Sequence, residues 1–182
     1  MMKKAISKFL LKLFGWKVIC TVPSYPKSII CVAPHTSNWD FVLGELAYWS
    51  LGRRAGFLMK EAWFFFPMNL LFKSLGGIPV PKRRGGSLSD VIVHKFKEAD
   101  SMSLAITPEG TRARVTDWRT GFLHIAYDAE VPIVLGAIDA PTKTIHLEKT
   151  FIPTGNIPDD MVKIKKYYRD FTGIKPENFS AE

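Results

Sequence analysis

The stretch that decides the fold is Ser28-Ile-Ile-Cys-Val-Ala33, an apolar run rich in β-branched residues that ends at Pro34. Its length and composition predict a buried β-strand. The polar segment His35-Thr-Ser-Asn-Trp-Asp40 follows, and residues 40–50 are predicted to form a helix. The strand therefore places His35 at its carboxyl end, where the ligand crevices of parallel sheets lie.

Segments of strand and helix character alternate along the rest of the chain. Further strands are predicted at residues 54–59, 78–80, 103–106, 131–138 and 144–147. Helices are predicted at residues 88–99, where Ser87 and Asp90 form a capping signal, at residues 122–129 and at about 158–172. The alternation predicts an α/β fold with a largely parallel or mixed central sheet flanked by helices.

The chain of 182 residues and 20.6 kDa is long enough for one domain with a sizeable core. No repeat or linker divides it, so we expect a single domain over residues 1–182, with a helix at 1–17, a core at about 28–150 and a C-terminal helix at about 158–172. A hydrophobic content of 47% and a mean hydropathy of +0.04 exclude a disordered chain. Two cysteines without a C-x-x-C pair favour a reducing compartment.

The formal net charge of +8 predicts an anionic partner, either nucleic acid, acidic lipid, a phosphorylated substrate or an acidic carrier protein. The N-terminal segment concentrates this charge, because six lysines precede the first acidic residue, Asp40. Its apolar residues recur at helical spacing, which predicts a basic amphipathic helix. These residues are Ile6, Phe9, Leu10 and Leu13. The helix either packs on the core with its lysines in solvent or lies on an anionic membrane surface.

The sequence contains no segment with the pattern of a secretory signal or a membrane span. Lys12 interrupts the apolar centre that a signal peptide needs. The most apolar run, residues 62–72, is about half the length required to cross a bilayer. We therefore expect a cytoplasmic protein that binds the cytoplasmic face of a membrane peripherally.

His35 and Asp40 are candidates for a general base and its partner. In one continuous helix the five-residue separation would point them about 140° apart. Pairing therefore requires His35 outside the helix and Asp40 in its first turn, with Thr36 or Ser37 as N-cap. A carboxylate that accepts from Nδ1 leaves Nε2 free to take a proton. The alternative is that Asp40 only caps the helix.

The segment Thr107-Pro-Glu-Gly-Thr-Arg112 follows the strand predicted at 103–106. Backbone N–H groups of the Pro-x-Gly turn, together with the guanidinium of Arg112, suit a phosphate monoester. Glu109 would bind a hydroxyl or hold Arg112. The alternative is a surface turn that carries a local pair between Glu109 and Arg112.

The order of these two segments resembles the glycerolipid acyltransferase family, whose best-known members acylate lysophosphatidic acid. The resemblance continues in Lys60, in Gly76-Gly-Ile-Pro-Val-Pro-Lys82-Arg83 and in Val131-Pro-Ile-Val134, and it covers about residues 29–138. It implies transfer of an acyl group from acyl-CoA or acyl carrier protein to a lysolipid hydroxyl. The expected acceptor is above all 1-acylglycerol-3-phosphate, with a lyso-amino-acid lipid or another lysolipid as the alternative.

The resemblance also implies roles for individual residues and partners. His35 is the expected general base, oriented by Asp40. The expected substrate-binding residues are Lys60, Lys82, Arg83, Glu109, Gly110, Thr111 and Arg112. We expect no metal and no cofactor beyond the donor, and the partners are an anionic membrane surface, both substrates and, for a protein-bound donor, acyl carrier protein. No nucleic acid is expected.

Three questions stay open in the sequence. The same residues would support a thioester hydrolase, with water in place of the alcohol. A non-catalytic basic module that stacks nucleic-acid bases on Lys165-Lys-Tyr-Tyr-Arg169 is a third class of function. The aromatic run from Trp63 to Phe72 either lines an acyl groove or packs in the core.

Overall fold

The computed structural model describes residues 2–80 and 87–182. The strands are β1 (Lys17–Cys20), β2 (Lys27–Ala33), β3 (Gly56–Lys60), β4 (Gly77–Val80), β5 (Met102–Ile106), β6 (Ile133–Asp139) and β7 (Thr144–Phe151). The helices are α1 (Met2–Leu13), α2 (Asn38–Leu51), α3 (Met68–Ser74), α4 (Leu88–Glu98), α5 (Gly121–Asp128) and α6 (Ile157–Tyr168), and short 3-10 turns occur at Glu61–Trp63 and Pro176–Asn178.

The seven strands form one sheet in the order β1-β7-β6-β2-β5-β3-β4. Strands β6, β2, β5, β3 and β4 run parallel to one another, whereas β7 is antiparallel to β6 and β1 is parallel to β7. The α/β fold with a mostly parallel sheet is therefore confirmed. Because β2, β5 and β3 are parallel neighbours, the segments that follow them meet at one edge of the sheet.

Helices cover both faces of the sheet. Helices α4, α5 and α6 bury the largest core cluster against one face, where Ile29, Leu104 and Leu135 are fully buried. Helices α1 and α2 pack on the opposite face, where Leu11 and Ala47 contact the buried Ile138 of β6. The alternation of β2 explains this arrangement, since Ile29 and Cys31 face one layer and Ile30 the other.

Two elements were not predicted from the sequence, and several ends differ from the predicted bounds; β7, for example, extends to Phe151 and not only to residue 147. Strand β1 has only four residues and lies at the sheet edge, and α3 lies in an apolar run without clear helical periodicity. The N-terminal helix ends at Leu13, because Gly15, with φ of +75°, turns the chain into β1. Helix α6 ends at Tyr168, before the limit of 172.

Helix α1 leaves its apolar stripe uncovered. It packs on α2 through Ser7 and Leu11, which are buried, whereas Ile6, Phe9 and Leu13 are between 49% and 64% exposed. The exposed apolar stripe is therefore not the surface that holds the helix to the protein. Within residues 2–80 and 87–182, no helix combines the length and the apolarity needed to cross a bilayer.

Candidate active site

The junction between β2 and α2 positions His35 and Asp40. Ser37 is the N-cap of α2, and its hydroxyl accepts from the N–H of Trp39 at 3.2 Å. The carboxylate of Asp40 accepts from the N–H groups of Thr36 and Ser37 at 2.6 and 2.7 Å. The capping box thus holds Asp40 in the first helical turn and leaves His35 outside the helix, so both can point to one place.

His35 and Asp40 are in contact at the carboxyl end of β2. Nδ1 of His35 lies 3.4 Å from Oδ2 of Asp40, with the imidazole 18% exposed and the carboxylate 1% exposed. Oδ2 also serves the helix cap, whereas the buried Oδ1 has no hydrogen-bond partner within the described ranges. Asp40 therefore both caps α2 and presents a carboxylate to the ring nitrogen of His35, so its roles as helix cap and as partner of the histidine are compatible.

Glu109 is buried directly behind His35. Its Oε1 accepts from the backbone N–H of His35 at 3.0 Å, and the residue is only 5% exposed. Burial raises the pKa of Glu109 to about 7, and the hydrogen bond from His35 opposes this rise. Glu109 therefore ties the loop after β5 to the end of β2, and the alternative of a surface turn with a Glu109–Arg112 pair is wrong.

Arg112 lies on the rim of the site and donates from Nη1 to Oδ1 of Asn38, the first residue of α2. Gly110 makes the turn before it, with φ of +65° and an N–H that donates to the carbonyl of Thr107. Thr111 is exposed beside it. The loop from 107 to 112 thus brings a guanidinium next to the start of α2, on the same edge of the sheet as His35.

A second arginine of this rim was missed in the sequence. Arg119 borders the cavity that contains His35, and a Cβ built on Gly110 would lie 2.5 Å from its Nε. Its backbone N–H donates to the carbonyl of Pro108 at 2.8 Å. The only signal in the sequence is the basic character of the loop, which also carries Arg112 and Arg114, and that signal does not distinguish the residue that borders the cavity.

A cavity of about 880 Å³ extends from His35 between α2 and the sheet. Apolar side chains such as Val32, Phe57 and Ile138 form most of its wall. Tyr48 of α2 and Ala55, just before β3, line its inner part. The volume falls within the range of small-molecule sites, and the combination of an apolar wall with few polar groups at the mouth is typical of them.

Glu45 is an exception within this apolar wall. It lines the cavity from α2, and its Oε2 is buried without a hydrogen-bond partner among the described residues. Burial raises the pKa of Glu45 to about 7, while the charge of Lys3 opposes the rise. Nothing in the sequence singled out this residue, because a glutamate in a helix is usually solvated.

The aromatic run after β3 lies neither in the core nor in this cavity. Trp63, Phe65 and Phe66 are exposed, as are Leu70 and Leu71 of α3. None of these described side chains borders the cavity that contains His35. The expectation of core packing is therefore wrong for these five residues, whereas Phe64 and Phe72 of the same run pack against each other, with ring centroids 6.0 Å apart.

Three of the predicted substrate-binding residues cannot be placed fully. Lys82 and Arg83 lie outside the described residues. Lys60 is the last residue of β3, and the structure describes only its backbone. The carboxyl end of β3 lies on the same edge of the sheet as that of β2.

The basic aromatic segment at the end of α6 packs its two rings against the protein, one of them fully buried. Tyr168 is fully buried and donates to the carbonyl of Cys31 at 2.5 Å. Tyr167 is half-buried against Tyr168, with ring centroids 5.1 Å apart. These contacts remove the stacking surface on which the nucleic-acid alternative depended.

Comparison with known proteins agrees with the sequence blocks. The family model described as Acyltransferase matches residues 20–138. No curated protein matches the chain. Among solved structures the chain is similar to PlsC, the 1-acyl-sn-glycerophosphate (LPA) acyltransferase from Thermotoga maritima, with a TM-score of 0.62 and 18% identity over 93% of this chain and 78% of that chain. At this identity the likeness concerns the fold, whereas the family model spans more than half of the residues, and the chain therefore belongs to the acyltransferase family.

Proposed function

We propose that the protein transfers an acyl group from a thioester, on coenzyme A or acyl carrier protein, to the hydroxyl of a lysolipid, with 1-acylglycerol-3-phosphate as the preferred acceptor. The observation that carries the proposal is the position of His35. Its imidazole contacts Asp40 and borders an apolar cavity of about 880 Å³ whose rim also carries Arg112 and Arg119. A base, an apolar chain site and an anion site therefore share one edge of the sheet.

In the proposed reaction His35 acts as the general base. Nε2 takes the proton of the acceptor hydroxyl while the oxygen attacks the thioester carbon and forms the new C–O bond. The resulting imidazolium is stabilised by the carboxylate of Asp40 at Nδ1. When the C–S bond breaks, the imidazolium returns the proton to the departing thiolate, so the enzyme ends in its starting protonation state.

The two arginines support a phosphorylated acceptor. Arg112 and Arg119 border the mouth of the cavity, and a planar guanidinium matches a phosphate with two parallel hydrogen bonds. Neither forms an ion pair with a carboxylate among the described residues. Their charge is thus available to a substrate, which favours lysophosphatidate over a zwitterionic lyso-amino-acid lipid.

The apolar part of the cavity supports a lipid substrate. Each CH₂ group buried there contributes about 0.8 kcal/mol, so a long chain gains several kcal/mol on binding. The cavity opens beside His35 and extends inward to Tyr48 and Ala55. We place the acyl chain of the donor in this space, with the thioester carbonyl at the mouth.

We further propose that α1 holds the protein on the cytoplasmic face of an anionic membrane. Its exposed stripe of Ile6, Phe9 and Leu13 is flanked by lysines such as Lys8 and Lys12. An apolar side chain that enters the interface contributes about 1.5–3 kcal/mol and a nearby lysine about 1 kcal/mol. Since α1 packs on α2, this position would bring the lysolipid close to the catalytic edge.

The test is an assay of purified protein with palmitoyl-CoA or palmitoyl carrier protein and a panel of lysolipids, with the products identified by mass spectrometry. We expect phosphatidate from lysophosphatidate, and weaker acylation of lysophosphatidylcholine and of a lyso-amino-acid lipid. In Arg112→Gln/Arg119→Gln the preference for the phosphorylated acceptor should fall by about tenfold or more. Equal acylation of all acceptors by the unmodified protein would contradict the assignment.

The same assay separates transfer from hydrolysis. We expect free thiol to form in step with acylated lipid, and little thiol without an acceptor. Thiol release at the same rate in the absence of lysolipid, with free fatty acid as the product, would instead identify a thioester hydrolase.

A further inference from the structure

A second cavity, of about 710 Å³, lies at the opposite edge of the sheet from His35. It is bordered by the segments around the amino ends of the parallel strands, including Ser28 in β2, Gly56 in β3 and Met102 in β5. His35, Asp40 and the loop 107–112 do not border it. Among the described residues the two cavities share only Tyr48 and Ala55, at the inner part of the catalytic cavity, so the charged lining of the second cavity must be explained separately.

The lining of this cavity is strongly basic. Lys3, Arg53, Arg54 and Lys73 border it, whereas no aspartate or glutamate does so within the described part of the chain. These cations come from three places, namely α1, the loop after α2 and the end of α3. Bringing like charges together is unfavourable, and a bound anion would remove that repulsion.

Two of the cations are held in position by neighbouring groups. Nη2 of Arg53 donates to the carbonyl of Val22 at 2.9 Å, which leaves its other N–H groups free to donate elsewhere. Nζ of Lys3 lies 5.1 Å from the ring centroid of Trp49, which is a cation–π contact. Its charge also interacts electrostatically with the carboxyl group of Glu45. The basic wall is therefore partly ordered before any ligand enters.

The shape and the remaining lining point to a small phosphorylated ligand. Ser24 and Ser101 border the same space, and their hydroxyls can donate to phosphate oxygens. A volume of 710 Å³ suits a small molecule or a lipid headgroup. A folded carrier protein would have to bind outside it.

We propose that this cavity, which we call the basic cavity, is a second anion site that binds a ligand carrying two or more negative charges on phosphate. The ligand is either a soluble phosphate compound or the phosphorylated headgroup of a membrane lipid. Both sources offer the same chemistry to Arg53, Arg54 and Lys73. The proposal does not depend on the acyl-transfer reaction, since none of these residues borders the catalytic cavity.

The test is calorimetric titration of the full chain with pyrophosphate. Because Arg112 and Arg119 would also attract the probe, the parent protein is Arg112→Gln/Arg119→Gln. We expect binding that weakens by about tenfold or more when Arg54→Gln and Lys73→Gln are added, as expected for the loss of charge-assisted hydrogen bonds. The matched control, Lys163→Gln/Lys166→Gln, removes the same charge from exposed positions of α6 and should change the affinity less than about twofold.

A flotation assay distinguishes the two sources of the ligand. If the ligand is a headgroup, Arg54→Gln/Lys73→Gln should weaken binding to phosphatidate vesicles beyond the control, and pyrophosphate should compete. If the ligand is a soluble compound, Arg54→Gln/Lys73→Gln should bind vesicles as the control does, while calorimetry still shows weaker pyrophosphate binding. Equal pyrophosphate affinity in the cavity variant and the control would overturn the proposal.

Acyl transfer by Arg54→Gln/Lys73→Gln, made with Arg112 and Arg119 unchanged, separates this proposal from the proposed function. Arg54 and Lys73 are exposed, so their substitution should leave folding and basal acyl transfer near those of the unmodified protein. If the double variant unfolds, Lys3→Gln/Lys73→Gln provides the same test at two exposed positions. Retained acyl transfer without the pyrophosphate effect would refute the basic cavity and leave the catalytic assignment intact.

Discussion

At the scale of single residues, the buried carboxyl of Glu109 predicts a measurable dependence of stability on pH. Its pKa rises to about 7 in the folded protein from 4.5. Between these values the unfolded chain releases the proton while the folded protein keeps it, so stability falls as pH rises. Glu109→Gln removes the titrating carboxyl and therefore this loss of stability at higher pH. The amide keeps an oxygen that can accept from the N–H of His35.

We expect the variant to gain on the order of 1–3 kcal/mol relative to the unmodified protein as pH rises from 5 to 8. Denaturant unfolding at each pH measures this difference, and the contribution of Glu45 cancels because both proteins contain it. The control is Glu177→Gln at an exposed position, which should give a constant difference. If the difference in unfolding free energy between Glu109→Gln and the unmodified protein also stayed constant with pH, the buried carboxyl would not have a raised pKa.

Gly110 predicts an effect on acceptor binding. An alanine there would hold φ of +65° at a cost of about 1–2 kcal/mol, and its Cβ would displace the side chain of Arg119. We expect Gly110→Ala to raise the KM for lysophosphatidate more than that for lysophosphatidylcholine, measured under the same conditions. An equal rise for both acceptors would show that Arg119 does not bind the phosphate.

The sequence was informative where a residue's position depends on its immediate neighbours. The contact between His35 and Asp40 could be predicted because a capped helix start fixes both within six residues. The burial of Glu109 could not, because its partner is a backbone N–H group 74 positions away. Arg119 was missed for the same reason, since its approach to Gly110 depends on the path of a whole loop.

At the scale of secondary-structure elements, α1 predicts reversible membrane binding. Phe9→Glu/Leu13→Glu should reduce flotation with anionic vesicles by about tenfold or more, because two apolar groups would be replaced by charges. Both side chains are exposed, so thermal unfolding should change little.

Val162→Glu is the matched control, because it places a charge at an equally exposed apolar position on α6. It should float like the unmodified protein. If both variants floated equally well, α1 would be a structural helix with solvated lysines rather than an anchor.

The alternation of strands and helices could be read from the sequence, because β2, α2 and α4 carry strong periodicity or capping signals. Strand β1 could not, since a four-residue edge strand becomes stable only by pairing with β7, far along the chain. The face of α1 that packs on α2 could not be predicted from the sequence either. Its contact with α2 uses Ser7 and Leu11, which do not belong to the apolar stripe seen in the sequence.

At the scale of the whole molecule, the catalytic cavity predicts selectivity for chain length. Gly44 of α2 borders this cavity, and a Cβ added to it meets no atom within 4 Å. Gly44→Leu should therefore fill part of the space without disturbing the helix. We expect kcat/KM for palmitoyl-CoA to fall by about tenfold or more, and that for butyryl-CoA to change much less.

The control for this prediction is Val162→Leu, at an exposed position on α6 that does not border this cavity. It should leave both donors unaffected. An equal loss for both donors in Gly44→Leu would indicate damage to the site near His35 rather than a filled chain cavity.

The sheet order and the two cavities could not be predicted from composition. Net charge indicated an anionic partner, yet only the assembled sheet brings some of that charge to the edge opposite His35. The cavities arise where α2 stands away from the sheet, which depends on packing among elements distant in sequence. Fold class, by contrast, follows from the local pattern and was predicted correctly.

The most direct test of the central claim is the acyl-transfer rate of His35→Ala with palmitoyl-CoA and lysophosphatidate. Removal of a general base should lower kcat by about 10²–10⁴-fold, while circular dichroism shows an intact fold. Asp40→Asn would be a poorer choice, because Asp40 also caps α2. Retention of more than about a tenth of the rate by a folded His35→Ala protein would contradict the account.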